Sequence, residues 1–285
     1  MRRATALFAL CAAAALLGGC AVDPATELPD GVSVSVRQNR DDYAPRRLEI
    51  VVTNGSALPL DVWEARLDSP AFAAPASTPD PATIRPGGTT ALRLQLTAPD
   101  CSGAADLAAR VALAFTLGGS SGVVSVVPDD PFGTLPRIRA EDCLAERVAV
   151  AARIEPGDRI AVVEEGGRPV AHLRVALVPT GVGGVRVDSV ARTVLLRPAS
   201  GADGWPVGAR IDSSSGPVLI DLPIVPSSCR VHTVAEDKLG TVLPVAVTFD
   251  DGTSGVLRVP VEESVRGALL DFIAADSCAW APARH

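Results

Sequence analysis

The sequence predicts an all-β protein that consists of two tandem β-sandwich domains. Apolar residues alternate with polar ones through segments such as 32–36, 111–115 and 245–249, and this period of two is typical of antiparallel strands buried on one face. The chain also contains 24 prolines and 25 glycines, which interrupt the alternating segments as turn residues. Short strands separated by turns favour a sandwich over a helical or a parallel α/β domain.

The predicted elements follow one another along the chain in two similar series. Alternating strands are expected at 32–36, 48–52, 92–96 and 111–115, and again at 160–162, 218–224 and 245–249. Trp63 lies in a further strand and is expected to belong to the core. Only the segments 101–109 and 265–275 are expected to form short helices.

The two halves of the chain repeat one another, and three pairs of segments carry the repeat. Residues 47–52 resemble 173–177, residues 92–96 resemble 220–224, and residues 111–115 resemble 245–249. A repeat of this length is a domain rather than a short solenoid unit. We therefore expect one domain at 31–144 and a second at 145–281.

The repeat also selects the disulfide pairing. Cys101 and Cys229 each stand five residues after an equivalent strand, and Cys143 and Cys278 close the two units. Four cysteines allow three connectivities, and the repeat favours Cys101–Cys143 and Cys229–Cys278, one bridge within each unit. A disulfide closing a few dozen residues is worth about 4 kcal/mol in the chain-entropy model.

The N-terminus has the features of an export signal. Arg2 and Arg3 precede an apolar stretch at 4–17, and the run Leu17-Gly18-Gly19-Cys20 follows. This order resembles the signal peptide and lipobox of bacterial lipoproteins. The resemblance implies that residues 1–19 are removed, that Cys20 carries acyl chains, and that residues 20–30 tether the protein to the extracytoplasmic face of the cell membrane.

The mature units resemble immunoglobulin-like sandwiches in architecture. In the antibody family a disulfide joins the two sheets, and a tryptophan lies between its cysteines in sequence. Here Trp63 precedes both cysteines of its unit. We therefore expect these disulfides to connect loops or strand ends instead.

Charge and motifs favour a non-catalytic protein. The chain has 26 basic and 33 acidic side chains, which disfavours nucleic acid as a partner. Ser120 lies in a G-x-S-x-G run at 118–122, but its flanking β segments favour a hairpin over a nucleophile elbow. We predict no catalytic residue, cofactor or metal site. Calcium at the acidic pairs, such as Asp250-Asp251, is a minor alternative, and the three histidines lack metal-ligand spacing: His172, His232 and His285.

Binding is expected at the longest loops of the two sandwiches. Phe72 lies in the loop at 68–88 and Trp205 in the loop at 197–217, and long loops on a rigid scaffold commonly carry function. The alternative is that both rings fold back into the core. We expect a binding or scaffolding role toward another envelope protein or a cell-wall component.

Two further functions remain open from the sequence. A protein that captures a small ligand would need an apolar pocket at the domain junction, near residues 141–156. An envelope hydrolase would need an acid–base pair in a cleft. Flat domains would favour contacts with proteins or the cell wall.

Overall fold

The computed structural model describes residues 27–102, 108–235 and 239–280. Within them, sixteen strands form four sheets, and every pair of neighbouring strands is antiparallel. The predicted all-β sandwich fold is confirmed. The proposed signal peptide, Cys20 and His285 lie outside the described residues.

The first eight strands build the first sandwich. Their bounds are β1 Val32–Arg37, β2 Arg47–Asn54, β3 Leu60–Asp68, β4 Ala76–Ser77, β5 Ala82–Ile84, β6 Gly88–Gln95, β7 Arg110–Leu117 and β8 Ser120–Val126. One sheet has the order β1-β2-β6, and the other has β4-β3-β7-β8 with β5 also paired to β3. A parallel bridge between Ser35 and Asp129 connects the chain after β8 to β1.

The last eight strands build the second sandwich. Their bounds are β9 Ala152–Glu165, β10 Arg168–Pro179, β11 Gly184–Ala191, β12 Leu196–Pro198, β13 Gly204–Asp212, β14 Val218–Pro226, β15 Val242–Phe249 and β16 Ser254–Pro260. The sheets have the orders β12-β14-β10-β9 and β13-β11-β15-β16. The described residues also form a 3-10 helix, Arg40–Asp42, and three α-helices: α1 Thr134–Ala151, α2 Val231–Ala235 and α3 Glu263–Asp271.

The strand order of the two sandwiches is the same. β1-β2-β6 faces β3-β7-β8 in the first, and β9-β10-β14 faces β11-β15-β16 in the second. This is the immunoglobulin-like arrangement, in which strands A, B and E oppose strands C, F and G. The repeated sequence segments occupy equivalent strands, namely β2 and β10, β6 and β14, and β7 and β15.

Each sandwich has its own apolar core, because the alternating residues of its two sheets face each other. β15 shows the pattern most clearly, since every second side chain along it is buried. Leu48, Ile50 and Leu113 are fully buried in the first core, and Leu173 and Phe272 in the second. Each such side chain contributes about 1.5–3 kcal/mol by leaving water.

The two predicted disulfides are present, at equivalent positions of the repeat. Cys101–Cys143 joins the segment after β6 to α1, and Cys229–Cys278 joins the segment after β14 to the helical C-terminal region. Neither bridge crosses between the sheets of its sandwich, as the departure from the antibody pattern predicts.

The helices agree with the prediction only in part. α3 continues into a π-helical segment, Phe272–Ser277, so the helix predicted at 265–275 is confirmed. Of the helix predicted at 101–109, residues 103–107 lie outside the described residues, and the flanking positions are not helical. The longest helix, α1, was not predicted, because its N-terminus lacks a local capping residue at Gly133. Asp130 supplies the cap instead, accepting hydrogen bonds from the Thr134 and Leu135 amides at 2.7 and 2.9 Å.

α1 passes through residues 144 and 145, where the sequence places the domain boundary. Leu135 and Ile138 in its first half belong to the core of the first sandwich, whereas Val148 and Ala151 belong to the second core. The helix then runs directly into β9 at Ala152. It is therefore a connector shared by both cores, and it determines the geometry of the junction.

Candidate functional site

Polar contacts fix α1 to the first sandwich through its N-terminal half. Arg46 Nη2 donates to Asp142 Oδ2 at 2.5 Å, and its Nε donates to Oδ1 at 3.1 Å. Arg137 Nη2 donates to Gln38 Oε1 at 2.8 Å. These contacts hold the helix against the segment between β1 and β2, and the Cys101–Cys143 bridge holds it against the segment after β6.

The C-terminal half of α1 packs on the second sandwich. The Arg147 guanidinium lies 3.9 Å from the centre of the Phe249 ring, and its Nη2 donates to Asp251 Oδ2 at 2.8 Å. Leu144 covers Gly255 in β16, where a Cβ would approach the leucine Cδ2 to 2.7 Å. The glycine thus permits close packing of the helix on the edge strand.

A cleft of about 230 Å³ opens where α1, the first sandwich and β16 meet. We refer to it as the junction cleft. Most of its exposed wall is apolar, with Leu96, Ile138, Val242 and Leu257 among the contributors. The complete lining is Gln38, Tyr43, Ala44, Arg46, Leu96, Ile138, Glu141, Asp142, Ala145, Val242, Leu257, Arg258 and Pro260.

Tyr43, the only tyrosine of the chain, forms the centre of the polar part of this cleft. The guanidinium carbons of Arg137 and Arg258 lie 4.6 and 5.4 Å from the centre of its ring. Glu141 joins the same two arginines, accepting from Arg137 Nη1 at 3.0 Å and from Arg258 Nε at 3.3 Å. The tyrosine ring is therefore held between a helix residue and a residue of the second sandwich.

The charges of the junction cleft are paired. Arg46 faces Asp142 and Arg258 faces Glu141, so the walls combine apolar surface with neutralised polar groups. Such a site suits a small neutral or zwitterionic ligand, and its volume lies just below the 300–1,000 Å³ of pockets for drug-sized ligands. A wider groove of about 600 Å³ begins on the other side of Val242 and Arg258, where Arg40 and Arg192 also contribute.

His172 is held by two carboxylates on the outer face of the second sandwich. Its Nδ1 lies 2.6 Å from Asp221 Oδ2 and its Nε2 lies 2.9 Å from Glu165 Oε1. The hydrogen bond to Asp221 raises the pKa of His172, partial burial opposes the change, and Glu165 raises the pKa further. Both ring nitrogens are occupied, so this histidine connects β9, β10 and β14 rather than offering a free base or metal ligand.

Phe72 is 7% exposed and Trp205 is 5% exposed, so both rings fold back into the cores, as the alternative interpretation expects. Partner binding by the two long loops stays a prediction. Phe72 forms an isolated antiparallel bridge with Pro99. Trp205 lies in β13, and its Nε1 donates to the Pro223 carbonyl at 2.9 Å. Trp63, predicted to be core, is 60% exposed. Its neighbour Val62 faces inward, so alternation along β3 directs the indole outward.

Ser120 and the acidic pair at 250–251 have structural surroundings. Ser120 begins β8 after the tight turn at Gly118-Gly119, and no described histidine is hydrogen-bonded to it. Arg210 pairs with Asp250. The Thr253 amide and hydroxyl and Arg147 lower the pKa of Asp251 to about 2. Because arginines occupy these carboxylates, the hairpin does not fit a calcium site, and no cluster of three potential metal ligands occurs among the described residues.

No helix in the described ranges has both the length and the apolar character needed to cross a bilayer. The sequence matches no protein-family model and no curated protein sequence.

The sequence does not predict the residues that form the junction cleft, because they come from separated segments. It predicts only the position of such a pocket, near 141–156. The capping Asp130 and the Arg46–Asp142 pair leave no local sequence signal.

Several solved structures match this chain with low TM-scores and low sequence identity. Red sea bream transglutaminase has a TM-score of 0.24 and 13% identity, covering 83% of this chain and 32% of that one. The Pseudomonas aeruginosa CupB2 chaperone has a TM-score of 0.21 and 13% identity, with 77% and 94% covered. The calcium-binding domain CBD12 of CALX1.1 has a TM-score of 0.20 and 12% identity, with 76% of each covered. The chain spans about a third of the transglutaminase, and TM-scores this low have no bearing on function.

Proposed function

We propose that this protein is a non-catalytic binding protein of the cell envelope, attached to the membrane through acyl chains on Cys20, and that it binds a small ligand in the junction cleft. The observation that carries the proposal is the cleft itself. It lies at the junction where a ligand-capturing protein would need a pocket, and polar groups converge on its apolar walls.

The construction of the junction supports binding without domain movement. α1 contributes to both cores, and ion pairs fix each of its halves. A cleft held in this way is preformed, so ligand binding avoids the entropy cost of ordering two domains. The Tyr43 ring and the Glu141 carboxylate then supply orientation, since both are held by the same arginines.

The remaining reactive side chains support a role in binding rather than catalysis. Glu141 and Asp142 are each paired with an arginine, so neither carboxylate faces the other as an acid–base pair. His172 lies outside the junction cleft and is bonded on both ring nitrogens. These contacts favour the ligand-capture function over the hydrolase function.

A thermal-shift screen with a cleft-filling variant tests the proposal. Ala145 lines the cleft from α1, and Ala145→Phe should fill much of its volume. Ala149→Phe, on the exposed side of the same helix, is the matched control. The probes are the twenty amino acids, the common nucleosides and simple monosaccharides.

The expected result is that at least one probe raises the melting temperature of the wild type and of Ala149→Phe, but not of Ala145→Phe. If no probe acts on the wild type, or if the cleft-filling variant responds equally, the assignment of ligand binding to this cleft is wrong.

A further inference from the structure

Trp63 is an exposed aromatic residue that lies outside the junction cleft. Its indole is 60% exposed on the outer face of the sheet β4-β3-β7-β8, remote in sequence from every residue of α1. It also stands at a β-bulge, because the pairing of β3 with β7 shifts between Val62 and Glu64. Bulges redirect side chains and recur beside functional sites.

The indole is held in one orientation. Its Nε1 donates to Thr116 Oγ1 at 3.0 Å, and Thr116 Oγ1 lies 2.8 Å from Ser121 Oγ. An exposed tryptophan without such a contact would sample several rotamers. The hydrogen bond to Thr116 of β7 fixes the ring. The ring therefore offers a rigid apolar surface, and little side-chain entropy is lost when a ligand covers it.

A depression of about 130 Å³ lies directly beside the ring. Asp61 and Val62 of β3 line one side, and Ala82 and Thr83 of β5 line the other together with the preceding Pro81. Thr83 Oγ1 donates to Asp61 Oδ1 at 2.6 Å, which leaves the second carboxylate oxygen of Asp61 available. The depression therefore joins an aromatic face to a carboxylate and a hydroxyl.

We infer that Trp63, Asp61 and Thr83 form a second binding site, independent of the junction cleft, for one pyranose ring of a neutral or N-acetylated saccharide. A pyranose has an apolar C–H face, which packs on the electron-rich face of an indole, and it has hydroxyls at its edge. Those hydroxyls can donate to the free oxygen of the Asp61 carboxylate and to the Thr83 hydroxyl, whose own proton is given to Asp61.

The surroundings favour a sugar over a protein partner. Aromatic anchors of protein interfaces lie in apolar, fully desolvated surroundings from which charges are depleted. Trp63 instead has two acidic residues within two positions in the sequence, Asp61 and Glu64. Since no basic residue lines the depression, the site also disfavours acidic sugars.

The test is a titration of the purified protein with tetrasaccharides of N-acetylglucosamine, glucose and mannose, followed by calorimetry and tryptophan fluorescence. Polygalacturonate is the acidic probe. We expect at least one neutral tetrasaccharide to bind with a Kd on the order of 1 mM, as befits a single stacked ring, and to shift the emission of the exposed indole. Polygalacturonate should not bind.

Three variants separate the site from general effects. Trp63→Ala should weaken binding at least tenfold, and Asp61→Asn should weaken it severalfold. Phe132→Ala removes another exposed aromatic ring, one that is 78% exposed, and should bind like the wild type. Circular dichroism spectra should be unchanged in all three, because none of these side chains is buried.

Three results would each overturn the inference. They are the absence of binding by every neutral tetrasaccharide up to 10-fold above the expected Kd, equal binding by Trp63→Ala and the wild type, and binding of polygalacturonate as tight as that of the neutral probes. The junction cleft is unaffected by any of them, since Ala145→Phe tests it separately.

Discussion

Glu141 of α1 accepts a hydrogen bond from Arg258 Nε of β16 at 3.3 Å, and this contact joins the first half of the connecting helix to the edge strand of the second sandwich. The pair is partly exposed, with about 29% of the glutamate side chain and 40% of the arginine side chain accessible. It therefore orients the two sandwiches more than it stabilises them.

A double-mutant cycle should measure that contribution. We expect Glu141→Ala and Arg258→Ala to show a coupling free energy of about 0.2–1 kcal/mol in urea unfolding, because partly exposed ion pairs are screened by water. Glu146→Ala, an exposed change on the same helix, should show no coupling with Arg258→Ala. Coupling of equal size with Glu146 would mean that the effect comes from helix charge and not from this contact.

Removing Arg93 should lower the free energy of unfolding far more, because its guanidinium contacts two buried carboxylates. Its Nε donates to Glu49 Oε1 at 3.0 Å and lies 3.4 Å from Asp42 Oδ1. Glu49 keeps a second arginine, Arg37, at 2.7 Å, whereas the Asp42 carboxylate accepts no hydrogen bond from the described residues. Arg93→Ala should therefore cost about 3 kcal/mol by leaving a buried charge unpaired.

Arg37→Ala is the matched control for Arg93, since it removes an arginine from the same glutamate but leaves Asp42 paired. Arg37→Ala should lower the free energy of unfolding by about 1 kcal/mol or less. Chemical denaturation of both variants measures the difference. Equal losses would show that Asp42 does not depend on Arg93.

Stability should depend on pH through His172. Its pKa is raised in the folded protein, so the folded state binds the proton more tightly than the unfolded state does. The stabilisation is complete below the unfolded pKa of about 6.5 and is lost as the pH rises through the higher folded pKa. His172→Ala should therefore lower the melting temperature more at pH 5.5 than at pH 9.

Asp221→Asn should reduce this pH dependence, because Asp221 is the main cause of the raised pKa. His172 and Asp221 line a surface depression to which Asp158 also contributes. Asp158 does not contact the histidine, so Asp158→Asn serves as the control. A difference between wild type and His172→Ala that is constant from pH 5.5 to 9 would contradict the assigned pairing.

The sequence predicts the fold well because its strongest signals are periodic. Alternation along β7 and β15 fixes which face is buried, and the repeat then aligns the cysteines that form each bridge. The same rule places Trp63 outside, since Val62 beside it faces inward. Its assignment to the core rested on residue type rather than on its position in the alternation.

The sequence predicts only the region of the junction cleft, near residues 141–156, and not the residues that line it. α1 has a weakly amphipathic pattern because its two halves face different cores, and its cap comes from Asp130, outside the helix. Tyr43 and Arg258 are more than 200 positions apart in the chain, and no local pattern joins them. Tertiary packing alone brings such residues together.

Removing either disulfide should destabilise its own sandwich by a similar amount. The bridges span 42 and 49 residues, and loop-closure entropy varies only slowly with length, so each is worth about 4 kcal/mol. The variants are Cys101→Ser with Cys143→Ser, and Cys229→Ser with Cys278→Ser, compared by chemical denaturation. Unfolding midpoints equal to that of the wild type would contradict this expectation.

Attachment to the membrane should depend on Cys20, because the run Leu17-Gly18-Gly19-Cys20 resembles a lipobox and acyl chains on this cysteine would provide the anchor. We expect Cys20→Ala to move the protein from the membrane fraction to the soluble fraction of cells that export it. Cys11→Ala, in the same leader, should leave the protein in the membrane fraction. If the Cys20 variant stays with the membrane after high-salt and carbonate washes, another anchor must hold it. Metabolic labelling with a clickable fatty acid should mark the wild type and Cys11→Ala but not Cys20→Ala.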